Sequence, residues 1–307
     1  MKIIEKRIDL LNDKIPNNSI FLDIETTGFN RAYHRIYLMG TLAKEENGFI
    51  FRQFLTEYKG EEKELLVKTI ELLNNFETII TFNGDAFDLG FIEKRAKANS
   101  LNFNFQNFKS LDIYKEIKDK TFMLNLENQK LKTIEKFLGI DRDDIFTGGE
   151  LIQLYYEYEA GNKKLELPLL LHNEEDILNM PKLMEIFNII KDNNRIIVKD
   201  NIFDVSKITL GKKSLKIIGD STIDKAYFNF LSSEFTVKDN FFNLNAFVKE
   251  DNYSKDIKCI YIEKSGLDLN CNYNYKSPNE ILLLKYDKQI LYKNAFDYLK
   301  KYLENIL

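Results

Sequence analysis

Four carboxylates and one imidazole carry the chemistry that can be read from this chain. Asp23 and Glu25 sit inside Ser19-Ile-Phe-Leu-Asp-Ile-Glu-Thr-Thr-Gly28, an otherwise apolar run. Residues two apart in a strand share a face, so both acids project with Phe21 while Leu22 and Ile24 point the other way. Carboxylates side by side on a buried strand repel and lose hydration, and they stay ionised only where a cation neutralises them. The chemistry implied is divalent-metal binding. The plainer reading is an exposed strand end, since Thr26-Thr27-Gly28 already signals a turn. Asp88 closes Phe82-Asn-Gly-Asp-Ala-Phe-Asp, a turn running into a helix. It is either a first-turn anion favoured by the helix dipole or a carboxylate just beyond the carboxyl end of a parallel strand, where α/β sheets place ligands. Asp85 is read as the N-cap of that helix, and Asn83 as a turn residue. His172 and Asp176, in Leu-Leu-Leu-His-Asn-Glu-Glu-Asp, are one helical turn apart on one face. Alone, such a pair is a common surface stabiliser. The other histidine, His34, lies in a polar loop and is read as solvent-exposed.

The elements that must position these residues follow from periodicity. Residues 1–17, with apolar Ile3, Ile4, Ile8, Leu10 and Leu11, read as a short helix or irregular lead-in. Strands are expected at 19–25, 36–43 and 48–55, the last two joined by a hairpin-type connection over Lys44–Gly48. A helix over 61–76 and a buried strand at 78–82 imply a crossover, hence parallel pairing. A short strand at 110–114, helices at 131–138 and 150–158, and the helix from Leu165 that bears His172 and Asp176 follow, with Pro181 kinking or restarting the last. Past Lys191 the pattern changes to alternation at 214–219, 241–247 and 257–262, a hairpin over 280–292 turning at Asp287-Lys288, and a final helix with Phe296, Leu299, Tyr302, Leu303 and Ile306 on its apolar face. The reading is an α/β domain over 1–190 and a smaller β-rich domain over 191–307 that ends in a helix and has no assigned role. Its many Phe and Tyr fill a small β core; Tyr273 and Tyr275, in a polar loop, are the candidates for a stacking platform for single strands.

At 307 residues the chain is long enough for one large or two ordinary domains. With 44% hydrophobic and 30% charged residues it is a soluble globular protein rather than a disordered one. No apolar run is long enough to span a membrane, and charges interrupt the N-terminus at once, so neither a membrane span nor a signal peptide is expected and the location read is the cytoplasm. Cys259 and Cys271 form no Cys-x-x-Cys pattern and have no histidine nearby, which leaves neither a zinc motif nor a disulfide framework. The net charge of −4 does not announce a nucleic-acid binder.

Taken together, Asp23 and Glu25 on a first strand, Asp88 after a later parallel strand, and His172-x-x-x-Asp176 on a late helix resemble the DEDD superfamily of 3′→5′ exonucleases, which has the ribonuclease H-like fold. The resemblance runs from about Ser19 to about Leu183, takes in Leu131-Lys-Thr-Ile-Glu-Lys-Phe-Leu-Gly139 and the His172-Asn173 pair, and looks closest to the bacterial YprB-like branch. It implies a mixed sheet of three antiparallel strands followed by parallel ones, flanked by helices. It also implies Asp23, Glu25, Asp88 and Asp176 as ligands of two divalent ions, Mg²⁺ or Mn²⁺, and His172 as the general base or as a residue that orients a phosphate. The substrate implied is nucleic acid, DNA or RNA, in single strands. One departure is plain: the family has Tyr with three residues between it and the last Asp, or His with four between, whereas this chain has His172 with three before Asp176. The alternative function is a nucleic-acid-binding or scaffolding protein that keeps the fold without catalysis.

Overall fold

The computed structural model describes residues 1–9, 15–45, 48–230, 232–267, 269 and 275–307. Of the residues singled out above, Leu10, Leu11, Cys271 and Tyr273, and two residues of the connection before Gly48, lie outside this range. The chain divides into two compact units, Met1–Lys118 with Leu126–Ile186, and Asp119–Asn125 with Phe187–Leu307.

The first unit is built on strands β1 (Lys2–Ile8), β2 (Ser19–Thr26), β3 (Ile36–Glu45), β4 (Gly48–Leu55), β5 (Thr78–Thr81) and β6 (Lys109–Asp112). Their order is β1-β4-β3-β2-β5-β6. Neighbours from β1 to β2 pair antiparallel, while β2–β5 and β5–β6 are parallel. The mixed sheet expected from the sequence is therefore present, with one strand more. Residues 2–8 form an edge strand against β4 rather than a helical lead-in. Spacing as sparse as Ile3, Ile4, Ile8 suits either element, and the open backbone edge of β4 decides it; the Glu5–Arg52 ion pair at 2.7 Å lies across that edge.

Helices α1 (Glu62–Leu73), α2 (Asp88–Ala98), α3 (Ile113–Ile117), α4 (Leu131–Phe137), α5 (Gly148–Glu159) and α6 (Glu166–Leu183) complete the unit. Ile20, Leu22 and Ile24 of β2 pack in one core with Leu65, Leu66, Phe91 and Ile92 of α1 and α2. A second core joins Tyr37, Leu38 and Leu55 to Leu151, Tyr155 and Tyr158 of α5 and Leu169 of α6, with the Tyr37 and Tyr155 rings stacked at 3.9 Å. Period two along β2 thus sends its aliphatic residues to one layer and leaves Phe21, Asp23 and Glu25 for the other. Pro181 lies inside α6, which ends at Leu183, and the chain restarts as α7 (Ile186–Asn193).

The second unit has two antiparallel sheets. One is formed by β7 (Arg195–Val198), β8 (Asn201–Leu210), β9 (Ser214–Ser221), β10 (Lys225–Phe230), β11 (Ser233–Lys238) and β12 (Phe241–Phe247), in the order β10-β11-β12-β9-β8-β7. The other comprises β13 (Lys249–Ser254), β14 (Ile257–Glu263), β15 (Ile281–Tyr286) and β16 (Gln289–Ile290), and α8 (Tyr292–Ile306) follows. Phe203, Phe235 and Phe242 of the strands share its core with Leu299 and Tyr302 of α8, so these aromatics serve packing, whereas Tyr227, Phe241 and Phe247 of the same sheet are exposed. Tyr275 lies stacked on Tyr286 at 3.9 Å rather than free in a loop. Phe122 and Met123, from the inserted segment 119–125, pack on the same core, where Asp119 pairs with Lys207 at 2.8 Å and Lys120 O accepts from Asn194 at 2.8 Å. Among the described residues no helix is long and apolar enough to cross a membrane.

Candidate metal centre

Asp23 stands opposite Gly40 of β3. Gly40 is required there by proximity: a Cβ at this position would lie 2.2 Å from Asn173 Oδ1 and 2.8 Å from Ile177 Cγ1. Its absence lets α6 approach the sheet, and Asn173 Nδ2 then donates to Asp23 Oδ2 at 2.7 Å. Gln53 Nε2 in turn donates to Asn173 Oδ1 at 3.0 Å and to Leu170 O at 2.9 Å, fixing the amide from behind.

Asp88 opens α2, and its Oδ1 accepts from Ile24 N, between the two β2 acids, at 3.2 Å. The turn before it is organised by Asp112 at the end of β6, which accepts from Asn83 N at 2.8 Å, Asp85 N at 3.1 Å and Lys115 N at 3.2 Å. Asn83 is in the left-handed region at φ 66°, as expected of a turn residue. Asp85 is not the N-cap it was expected to be. The helix begins at Asp88 without a side-chain cap, the turn N–H groups go to Asp112, and Asp85 pairs with Lys115 and Ser110 instead. Nor is His34 solvent-exposed: it is half-buried against Gly28, whose Cβ, if present, would fall 2.6 Å from the ring.

On α6 the one-turn spacing holds His172 and Asp176 together. His172 Nε2 lies 3.4 Å from Glu25 Oε1 and 3.6 Å from Asp176 Oδ2. Donor atoms of Glu25, His172 and Asp176 all fall within 4.8 Å of one another. Asp23 and Asp88 stand outside that trio but act on it through charge. Burial, then the charges of Asp176, Asp88 and Glu25, push the Asp23 carboxyl well above its usual range against the Asn173 hydrogen bond. Glu25 is raised the same way, by burial and then Asp176, Asp88 and Asp144, with Arg142 opposing. Asp88 is pushed up to about 7, mainly by burial.

Two residues at this centre, Arg142 and Asp144, went unread in the sequence. Arg142, in the loop between α4 and α5, places Nη1 2.6 Å from Asp176 Oδ1 and 3.0 Å from Glu135 Oε1. Asp144 Oδ2 lies 2.7 Å from His172 Nδ1. Burial alone would raise Asp144, but Lys132, the Phe146 N–H and the His172 ring outweigh it and hold the carboxyl below its usual range. The signal available was the charge run Asp141-Arg-Asp-Asp144 in a loop, which carries no periodicity to mark it.

The residues fit a hard divalent cation. Oxygen donors from β2, α2 and α6 are gathered, those of Asp23, Glu25 and Asp88 with raised proton affinity, and among the described residues Asp23 and Asp88 are paired with no cationic side chain. Arg142 pairs with Asp176 and acts on Glu25 through charge.

Several solved structures resemble the chain. The family B DNA polymerase of the archaeon Pyrobaculum calidifontis is 13% identical over 57% of this chain and 25% of its own, with a TM-score of 0.44, so the chain spans a quarter of that protein's length. Brucella melitensis NrnC with bound Mg²⁺ is 17% identical over 61% of this chain and 80% of its own, with a TM-score of 0.31. E. coli Exonuclease I in complex with a dT13 oligonucleotide is 10% identical over 94% and 70%, with a TM-score of 0.36. No curated protein matches the sequence. The profile of the RNase_H superfamily matches residues 20–188, more than half of the chain and all of the acids gathered here, and the chain belongs to that superfamily.

Proposed function

We propose that this protein is a metal-dependent nuclease hydrolysing phosphodiester bonds, a 3′→5′ exonuclease of the DEDD kind and the YprB-like branch, acting on single-stranded DNA or RNA ends in the cytoplasm. The observation that carries the reading is that Glu25 of β2 and His172 and Asp176 of α6 bring donor atoms within 4.8 Å of one another, with the carboxyls of Asp23 and Asp88 near enough to act on those acids through charge. These four acids would hold two Mg²⁺ or Mn²⁺ ions. Such ions supply activation of water at neutral pH and charge stabilisation for the attacking and leaving oxygens of an in-line displacement. The chain's own part is placement. Asn173 orients the Asp23 carboxylate, the Ile24 N–H holds Asp88, and Arg142 anchors Asp176 by the oxygen turned away from His172. His172 has its Nε2 turned toward Glu25 and Asp176, where the sequence resemblance casts it as proton acceptor.

The test is degradation of 5′-labelled single-stranded DNA and RNA of one sequence with Mn²⁺, Mg²⁺ or chelator, beside Asp23→Ala. The expected outcome is a metal-dependent ladder shortening from the 3′ end, absent from the variant. Binding without cleavage of either strand would replace this reading with the scaffolding one.

A further inference from the structure

We infer that His172 is itself a metal ligand through Nε2, forming with Glu25 and Asp176 a two-carboxylate, one-imidazole set that selects a first-row transition ion over Mg²⁺. The inference rests on the metal-dependent reading above and changes what the site holds and how. Its basis is geometric. Three donor atoms lie within 4.8 Å of one another, and Nε2 is 3.4 and 3.6 Å from the two carboxylate oxygens without hydrogen-bonding to either. The ring is buried, 5% exposed, so it is aimed into the cluster and not into solvent.

The other ring nitrogen strengthens the case. Nδ1 meets Asp144 Oδ2 at 2.7 Å, and the Asp144 side chain is fully buried among Lys132, Arg142 and the Phe146 N–H. An ionised carboxylate only accepts, so Nδ1 carries a proton, and the nitrogen left to offer a lone pair to a cation is Nε2, which faces Glu25 and Asp176. A lone pair facing two carboxylates is repulsive with nothing between them and attractive with a cation there. A histidine that ligates metal usually donates its second N–H to a carboxylate in this way. Arg142 occupies Asp176 Oδ1, which leaves Oδ2, the oxygen beside His172, to bind. The departure from the family spacing then has a chemical sense. Placed one turn before Asp176, the imidazole enters the ligand cluster directly, and a nitrogen donor favours Co²⁺ or Zn²⁺ over the oxygen-seeking Mg²⁺.

The experiment uses the full chain without a histidine tag. Pulsed electron paramagnetic resonance of bound Mn²⁺ reads a directly coordinated nitrogen; Co²⁺ and Mg²⁺ affinities come from calorimetric titration. The expected result is nitrogen coupling in the wild type that disappears in His172→Gln, with Co²⁺ bound far more tightly than Mg²⁺. Asp144→Asn should weaken Co²⁺ by about ten- to hundredfold, as loss of a carboxylate behind a ligating histidine does, with Mg²⁺ nearly unchanged. Mn²⁺ bound without nitrogen coupling would overturn the ligand assignment and leave the metal-dependent reading standing. Coupling that survives His172→Gln would point to His34 and overturn it too, and failure of the folded protein to bind Mn²⁺ or Co²⁺ would overturn both. The wild-type spectrum decides the matter even where a variant fails to fold.

Discussion

Asp88 is a carboxyl held where neutrality suits it better than charge. Burial first, then Asp112 and Asp176, raise it to about 7 against the pull of its own N–H and that of Ile24. A folded value above the unfolded one means the metal-free fold keeps its full stability below about pH 4 and loses it as the pH rises toward 7. Thermal melts in chelator should therefore show Asp88→Asn gaining on the wild type between about pH 4 and 7 and holding its gain above that. A constant difference across that range would mean that Asp88 is not under this strain. A divalent cation should reverse the order, because it stabilises the ionised wild type and has less to bind in the variant. Arg142 is the opposite case. It is a buried guanidinium held firmly protonated: burial would lower it, and Asp176 and Glu135 more than compensate. Arg142→Met leaves Glu135, Asp144 and Asp176 without it and should cost about 3–5 kcal/mol in urea unfolding; a loss below about 1 kcal/mol would mark the network as solvent-screened.

Helix α6 and strand β3 are held at the distance the site needs by a missing side chain. Gly40→Ala would place a methyl group 2.2 Å from Asn173 Oδ1, and the buried Asn173 side chain or the helix that carries it must yield. The expected cost is about 1–3 kcal/mol in urea unfolding, together with weaker Mn²⁺ binding by calorimetry, because Asn173, His172 and Asp176 ride on the helix that moves. Gly148→Ala, at the start of α5 with nothing within 4 Å of the new carbon, is the control and should leave both nearly unchanged. Full metal affinity in Gly40→Ala would show that the centre does not depend on this approach.

Across the whole molecule, each compact unit has its own core, and segment 119–125 leaves the first unit's sequence to complete the second unit's core. Phe122→Ala should loosen the second unit by up to about 3 kcal/mol and leave the metal centre intact. Hydrogen exchange checks both: faster exchange over 195–307 in the variant, with Mn²⁺-dependent protection of β2 and α6 as in the wild type. Equal loss of that protection would show that the units depend on one another for stability.

The sequence by itself determined what repeats over a short span. Period two in β2 set Asp23 and Glu25 on one face, and the one-turn spacing set His172 beside Asp176. Alternating strand and helix patterns announced a mixed sheet, and strand alternation announced the second unit's core. Each is a local geometric regularity, so a few neighbouring residues carry it. The tertiary structure decided the rest, because those interactions join residues far apart in the chain that share no period. Residues 2–8 became a strand because β4 offered an edge 47 positions away at Glu5–Arg52. Asp112 took the turn N–H groups that Asp85 was expected to organise, across 27 and 29 positions. Asp144 reached His172 across 28, from a loop with no pattern to mark it. Gly40 shows the same limit: it is one small residue in a strand until the helix it admits is in place, and only the packed structure says why nothing larger fits.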